Sequence, residues 1–400
     1  MSAFVLISLV GWAAVVGLAL LRSRAYAIFR GITLGLQVLF AATLVHRFQN
    51  VFWLYCYLHA AVFVQSIGLI RPRMRSLPYR ALVSVPGAFF AAGTLLSLPW
   101  VLARAFGFDM PGIYLPYVAA GIGVLQSLWS REETRHIVVA DSHAVPALAR
   151  HRAGVARVER PLRVVQITDP HLGPFMSVER LAGICQRAVD KSPDLVLLTG
   201  DFLTMESQAD PQLLQSALAP LKQLPGRVFA CLGNHDHEAP AIVHNALRQN
   251  GITLLVDEAQ SVMTDAGRVQ IVGMDFVWRQ RKEHLARVCA EHPRDSGALR
   301  IVLLHDPGAF VHLPEGEADL VLSGHTHGGQ VGLVSLGLPY TMMRAFVKMP
   351  DHGLWARGTD RLYVHRGTGH YGFPLRLGVP AEESLLAVHS LTHHGASVAS

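Results

Sequence analysis

The sequence predicts an α/β protein carried behind an N-terminal bundle of apolar helices. Two observations predict this. The first third is apolar and nearly free of acids, so that the whole chain has a positive mean hydropathy although its remainder has the charge and turn content of a soluble domain. From Leu162 onward, apolar runs of strand length alternate with helical stretches, the pattern of a sheet with parallel pairing. The expected division is 1–130 as a transmembrane helical domain, 131–160 as a basic linker and 161–400 as the α/β domain.

Ala3–Leu21 is uncharged and long enough to span a bilayer, and it lacks the positive leader of a secretory signal. Gly31–Val45, Val51–Ile70, Ala81–Ala103 and Pro111–Trp129 follow as further apolar runs, giving about five spans. His59, Gln37 and Gln65 inside them read as packing contacts, and so charge-poor a bundle does not suit a transporter. Arg22, Arg24 and Arg30 follow the first run, Arg71, Arg73, Arg75 and Arg80 the third, and Arg131 and Arg135 the fifth. The positive-inside bias then places the α/β domain in the cytoplasm, on the inner face of the cell membrane. That side reverses if one run fails to span. The link, with His151, Arg152 and Arg157, suits either an anionic membrane surface or plain solvation. No aromatic–basic interleaving suggests a nucleic-acid partner. Cys56, Cys185, Cys231 and Cys289 form no Cys-x-x-Cys pair, which excludes a zinc knuckle or a dithiol redox motif.

In the second part, Leu162–Thr168 reads as a strand ending in Asp169-Pro170-His171. A helix over Val178–Lys191 leads to the strand Asp194–Thr199, which ends in Gly200-Asp201. A helix over Pro211–Gln223 leads to Arg227–Leu232, ending in Gly233-Asn234-His235-Asp236. Val269–Gly273 and Arg300–Leu304 are later strands, the second ending in His305. Ala318–Leu322 precedes Ser323-Gly324-His325-Thr326-His327-Gly328-Gly329-Gln330, and Leu362–His365 and Leu385–Val388 come last. Their shorter spacing implies mixed or antiparallel pairing there.

The oxygen and imidazole donors Asp169, His171, Asp201, Asn234, His235, His305, His325 and His327 all follow apolar runs. Sites in α/β sheets gather beyond the carboxyl ends of strands. These donors are too many for one tetrahedral ion, and two cations bridged by a carboxylate would use them, about 3.5–4 Å apart as in two-metal hydrolases.

Asp-x-His, Gly-Asp, Gly-Asn-His-Asp, a strand-end His and Gly-His-Thr-His, in this order, resemble the calcineurin-like metallophosphoesterases. The extended Gly-His-Thr-His-Gly-Gly-Gln, with Arg366-Gly367-Thr368-Gly369 and Pro374-Leu375-Arg376-Leu377, is similar to the YkuE/YaeI-type bacterial, membrane-associated branch. The resemblance covers about Leu162–Val388 and implies an α/β/β/α sandwich of two mixed sheets. It implies one metal held by Asp169, His171, Asp201 and His327. A second would be held by Asp201, Asn234, His305 and His325, with Asp201 bridging. Pro170 stands where Leu is commoner in this branch.

The expected activity is hydrolysis of phosphodiester or pyrophosphate bonds. Two cations offset phosphate charge and lower the pKa of a shared water from about 15.7 towards about 7, so that hydroxide attacks phosphorus. His235 is expected to serve the leaving group, with Asp236 orienting its ring, the latter on the family resemblance. The ligand set suits manganese first, and iron or zinc as well. Arg279, Arg281, Lys282, Arg344, Lys348, Arg366 and Arg376 are candidate phosphate-binding cations, most of them read as surface charges. Leu336–Phe346 is apolar with Arg344; core and turn is the preferred reading over a membrane-facing loop. A membrane anchor suggests phospholipids or lipid-linked nucleotides as substrates, a pyrophosphate of the UDP-diacylglucosamine type among them. The competing reading is a non-catalytic metal-binding sensor on the same anchor, and the complete donor set argues against it.

Overall fold

The computed structural model describes residues 2–139, 144–152, 158–372 and 374–390. Thirteen strands lie among them: β1 (Ser130–Val139), β2 (Val145–Arg150), β3 (Leu162–Ile167), β4 (Leu195–Leu198), β5 (Val228–Ala230), β6 (Thr253–Leu254), β7 (Glu258–Thr264), β8 (Gly267–Gly273), β9 (Leu299–Leu303), β10 (Leu320–Ser323), β11 (Gly353–Gly358), β12 (Asp360–Val364) and β13 (Ala381–Ser390). They form two mixed sheets, ordered β1-β13-β3-β4-β5-β6 and β2-β11-β12-β10-β9-β8-β7. In the first, β3 through β6 are parallel and β13 is antiparallel to β3. In the second, β8, β9, β10 and β12 are parallel, with antiparallel strands outside them.

Strands buried on both faces read as continuous apolar runs. β4, Leu195–Leu198, is wholly buried. Leu195 and Leu197 point between the sheets, with Val164, Phe229, Ile301 and Leu322. Val196 and Leu198 point the other way, under the helices Val178–Asp190, Pro211–Leu218 and Pro240–Gln249. Ser177 caps the first of these by accepting from the Arg180 amide (3.2 Å), and Leu181, Ile184, Cys185 and Ala188 form its buried stripe. The helix begun at Pro211 gives way to a 3-10 turn at Ala219–Gln223, where Pro220 has no amide hydrogen to continue the ladder. The helix Arg281–Glu291 covers the far face of the second sheet.

The segment 131–160, expected to be a basic linker, contributes β1 and β2 to the two sheets; 140–143 and 153–157 lie outside the described residues. Its charged stretch Arg131–Arg135 conceals a strand because β1 is an edge, where Arg131, Glu132 and Arg135 face solvent, Glu133 turns in to Arg366, and the backbone ladder supplies the pairing.

The N-terminal region is helical: Ser2–Ala19, Arg24–Leu44, Phe52–Gly68, Val85–Leu96, Leu98–Ala105 and Leu115–Gln126 are its longer helices. Arg24–Gly68, kinked near Phe48, and Leu77–Leu96 are long and apolar enough to cross a bilayer; Ala3–Ala19 and Leu115–Gln126 are shorter. Ile7, Leu36, Trp53 and Ile122 leave their apolar side chains exposed. These helices dock on the sandwich. Arg80 Nη1 donates to the Pro174 carbonyl (3.2 Å), the Arg376 amide donates to the Gly123 carbonyl (3.0 Å), and Met205 packs against Tyr26 and Ala27.

Candidate metal centre

Each donor group sits just beyond the carboxyl end of a parallel strand. Asp169 and His171 follow β3, Asp201 follows β4, Asn234 and His235 follow β5, His305 follows β9, and His325 and His327 follow β10. Because the sheets face one another with these ends on one rim, residues far apart in sequence converge. The backbone bends sharply to aim them: Asp169, His171, Asp201, His325 and His327 all have positive φ, between 45° and 67°. That conformation is costly for residues with a Cβ and concentrates at functional sites. Two glycines make the approach possible. A Cβ on Gly200 (φ 89°) would strike the Gly233 backbone, and one on Gly324 would enter the Thr168 and Asp169 side chains.

The donors form two groups, Asp169 with His171 and His327, and Asp201 with His305 and His325. In the first, the Nε2 atoms of His171 and His327 are 3.1 Å apart, and His327 Nε2 is 3.4 Å from Asp169 Oδ1. In the second, His305 Nε2 is 3.2 Å from Asp201 Oδ2 and 3.2 Å from His325 Nδ1. Asp201 lies between the groups, its Oδ2 also 3.7 Å from His171 Nε2. Asn234 Oδ1 is buried with no hydrogen-bond partner. A converging set of carboxylate, amide and imidazole atoms, with ring nitrogens within 3.2 Å of one another and a buried amide oxygen left over, fits a pair of divalent cations.

Three of the four imidazoles are electrostatically ready to bind a cation; burial would lower the fourth, His305, but the facing Asp201 carboxylate raises it to about 10, and it would give up a proton on binding. Burial pushes the His171 and His325 imidazoles down to about 4 and holds His327 well below its ordinary value, so their lone pairs are available at neutral pH. Burial also disfavours the Asp201 carboxylate, but the facing His305 and His171 imidazoles outweigh it and keep the group ionised. Surrounding groups tune the donors. His305 Nδ1 donates to the Thr199 carbonyl (2.7 Å), which turns Nε2 inward. The Asp169 carboxylate accepts from the His325 amide (2.9 Å) and from Thr168 Oγ1 (2.6 Å).

His235 stands at the edge of the site. Its amide donates to Asp201 Oδ1 (2.9 Å), and its ring is 5.5 Å from that of His171. Burial would lower its pKa, yet the Glu238 hydrogen bond and the Asp201 charge raise it. The expectation that Asp236 orients this ring is corrected by the geometry. Asp236 is fully buried and accepts from three backbone amides, those of Asp201 (2.8 Å), Phe202 (2.8 Å) and Gly233 (2.7 Å). It ties the β4 and β5 turns together. The ring is held instead by Glu238, whose Oε1 is 2.8 Å from Nδ1, and by Tyr371, stacked on it at 4.6 Å. An acid three residues beyond His235 was the available signal for Glu238; Tyr371 had none in the local pattern.

Of the candidate cations, Arg366 and Arg376 are buried. Arg366 pairs with Glu133 (2.7 Å) and Glu382 (3.4 Å), while Arg376 donates to the Arg366 and Gly369 carbonyls. Arg281 pairs with Asp306 (2.8 Å). Arg344 and Lys348 are exposed, and so is most of Leu336–Phe346, against the expectation of core and turn.

Residues 162–329 match the model of the calcineurin-like phosphoesterase family. The chain is 30% identical over 246 residues to the phosphodiesterase YaeI of Escherichia coli, a match covering 60% of this chain and 87% of that protein. It is 27% identical to the metallophosphoesterase YkuE of Bacillus subtilis, over 57% of this chain and 79% of that one. A transmembrane protein with metallophosphoesterase domain from Danio rerio is 28% identical over 55% of this chain, which spans about half, 52%, of that protein.

Proposed function

Because this chain belongs to the calcineurin-like phosphoesterase family, and so is a metal-dependent phosphoester hydrolase with a binuclear centre, we propose that it is a membrane-anchored phosphodiesterase acting on lipid-linked phosphodiesters or pyrophosphates. One observation supports the chemistry: the ionised Asp201, grouped with His305 and His325, also lies 3.7 Å from His171 of the other donor group, at the rim where both sheets end. In this reading Asp169, His171, Asp201 and His327 hold one cation, and Asp201, Asn234, His305 and His325 the other. When bound, such a pair supplies positive charge for the phosphoryl oxygens and acidifies a water. The mixed ligands and the want of a thiolate favour manganese, with iron or zinc as alternatives.

The chain's own residues complete the reaction. His235, raised in pKa and steadied by Glu238, holds a proton at Nε2 for the leaving oxygen. Tyr371 shields that imidazole on one face. Asp236 contributes by fixing the turns that carry Asp201 and His235, not by touching substrate.

The lipid substrate is supported by the docking of the apolar helices on the loops that surround this rim, at Pro174, Met205 and Leu375. The arginines between the apolar runs support a cytoplasmic catalytic domain on a multi-pass anchor, over a division near 130. Hydrolysis of a panel of lipid, lipid-linked pyrophosphate and nucleotide phosphoesters by manganese-loaded protein, with His235→Ala as control, tests the reading. Turnover confined to water-soluble esters would overturn the lipid assignment. Protease accessibility in intact cells tests the side.

A further inference from the structure

Beyond Gly328-Gly329-Gln330 the chain makes a loop pinned to the body of the sandwich. The Leu333 amide donates to the Tyr340 carbonyl (2.8 Å), the Met342 amide donates to the Val331 carbonyl (2.8 Å), and Thr341 caps the short helix Met342–Phe346. Thr341 Oγ1 also donates to Asp351 (2.7 Å), which pairs with Arg150 (2.6 Å). A fixed surface loop is expected to be polar. This one presents Leu333, Leu336, Leu338, Tyr340, Met342 and Phe346 to solvent, with Leu336 73% and Phe346 80% exposed. An apolar patch of this kind marks an interaction site.

Two features identify its occupant. The loop continues the surface of the apolar helices: Gln126, at the end of Leu115–Gln126, donates to Ser335 Oγ (3.2 Å) and accepts from the Gly378 amide (2.8 Å), beside exposed Leu125 and Leu128. Among the described residues, no ion pair engages the exposed cations Arg344 and Lys348 that flank Phe346. Apolar side chains rimmed by a tyrosine and by cations with no carboxylate partner among the described residues suit the interface of an anionic bilayer.

We propose that Leu333–Phe346 is a second membrane contact, its apolar tip entering the acyl region of an anionic bilayer alongside the helical anchor. The proposal rests on the anchored reading above. It also places the bilayer beside catalysis, since Gln330 at the base of the loop exchanges hydrogen bonds with the Tyr371 backbone (3.1 and 3.2 Å), and Tyr371 stacks on His235.

The test places a bimane probe at Leu336→Cys or Phe346→Cys in the full chain, in a Cys56→Ser background, and reconstitutes it in phosphatidylglycerol-containing nanodiscs with or without brominated acyl chains. Leu36→Cys on the helix Arg24–Leu44 serves as the anchor control, and Met263→Cys on the far edge strand β7 as the solvent control. Each labelled protein must retain hydrolysis of a soluble aryl phosphodiester. The proposal expects brominated lipid to quench Leu336 and Phe346 as strongly as Leu36 while Met263 stays bright. Loop probes as bright as Met263, with Leu36 quenched, would overturn the proposal and leave the anchor standing. A bright Leu36 would overturn the anchor, and with all the probes bright the loop contact falls too.

Discussion

The Nε2 atoms of His171 and His327 face each other at 3.1 Å, with the rings stacked at 5.0 Å. Burial keeps both imidazoles neutral, so the two rings share at most one proton between these nitrogens, beside the Asp169 carboxylate. A cation bound by these nitrogens and the carboxylate would hold the folded state, and a ligand that binds only the folded state stabilises it by mass action. Manganese is therefore expected to raise the melting temperature above that in chelator, and His327→Ala to lose most of that increment. Scanning calorimetry with and without metal checks this.

His235→Ala should lower kcat on an aryl phosphodiester by about 10²–10⁴-fold, the range for a lost general acid or base. Glu238→Gln should give a smaller fall, in kcat more than in KM, because Glu238 reaches the reaction only through the His235 ring. Steady-state kinetics on the two variants separate the roles.

Asp236→Ala should act on the fold. Three buried amides lose their acceptor, and each orphaned donor costs about 1–3 kcal/mol. Denaturant unfolding should show a large loss of stability, accompanied by weaker metal retention as the Asp201 turn loosens.

Gly324→Ala should empty the centre while keeping the sandwich. The added methyl points into Thr168 and the Asp169 carboxylate, whereas the cores around Leu197 and Leu198 lie elsewhere. The expected outcome is a native circular dichroism spectrum with loss of bound metal and of turnover.

Acid sensitivity should trace in part to Glu382, buried between Arg366 and Tyr363. Burial alone would raise its pKa, but the Arg366 charge outweighs burial and holds the folded carboxyl below its ordinary value. A depressed folded pKa gives stability that is present above the unfolded value, about 4.3, and is lost as pH falls below it. Glu382→Gln should therefore be less stable than the parent at pH 7, with the difference narrowing towards pH 3. Urea midpoints across that range check it.

The rim was readable from sequence because each donor is announced by the apolar strand before it, as Leu195–Leu198 announces Asp201. What escaped lay where local pattern and tertiary position part. β1 hides in the charged run Arg131-Glu132-Glu133-Thr134-Arg135 because an edge strand tolerates charge on its open side. Asp236 and Glu238 are both acids near His235, and only the fold decides that one clamps backbone while the other meets the ring. Tyr371 reaches His235 from a segment far along the chain, which no spacing rule reports. Leu336–Phe346 looked like core by composition and stands exposed, since composition gives apolarity and not direction.

The central claim is a pair of cations sharing Asp201, and metal content measured by mass spectrometry alongside aryl phosphodiester hydrolysis tests it most directly. The account predicts two divalent cations per chain in the active protein, with Asp201→Ala losing metal and turnover together. Full hydrolysis by Asp201→Ala, or by protein holding a single ion, would contradict it.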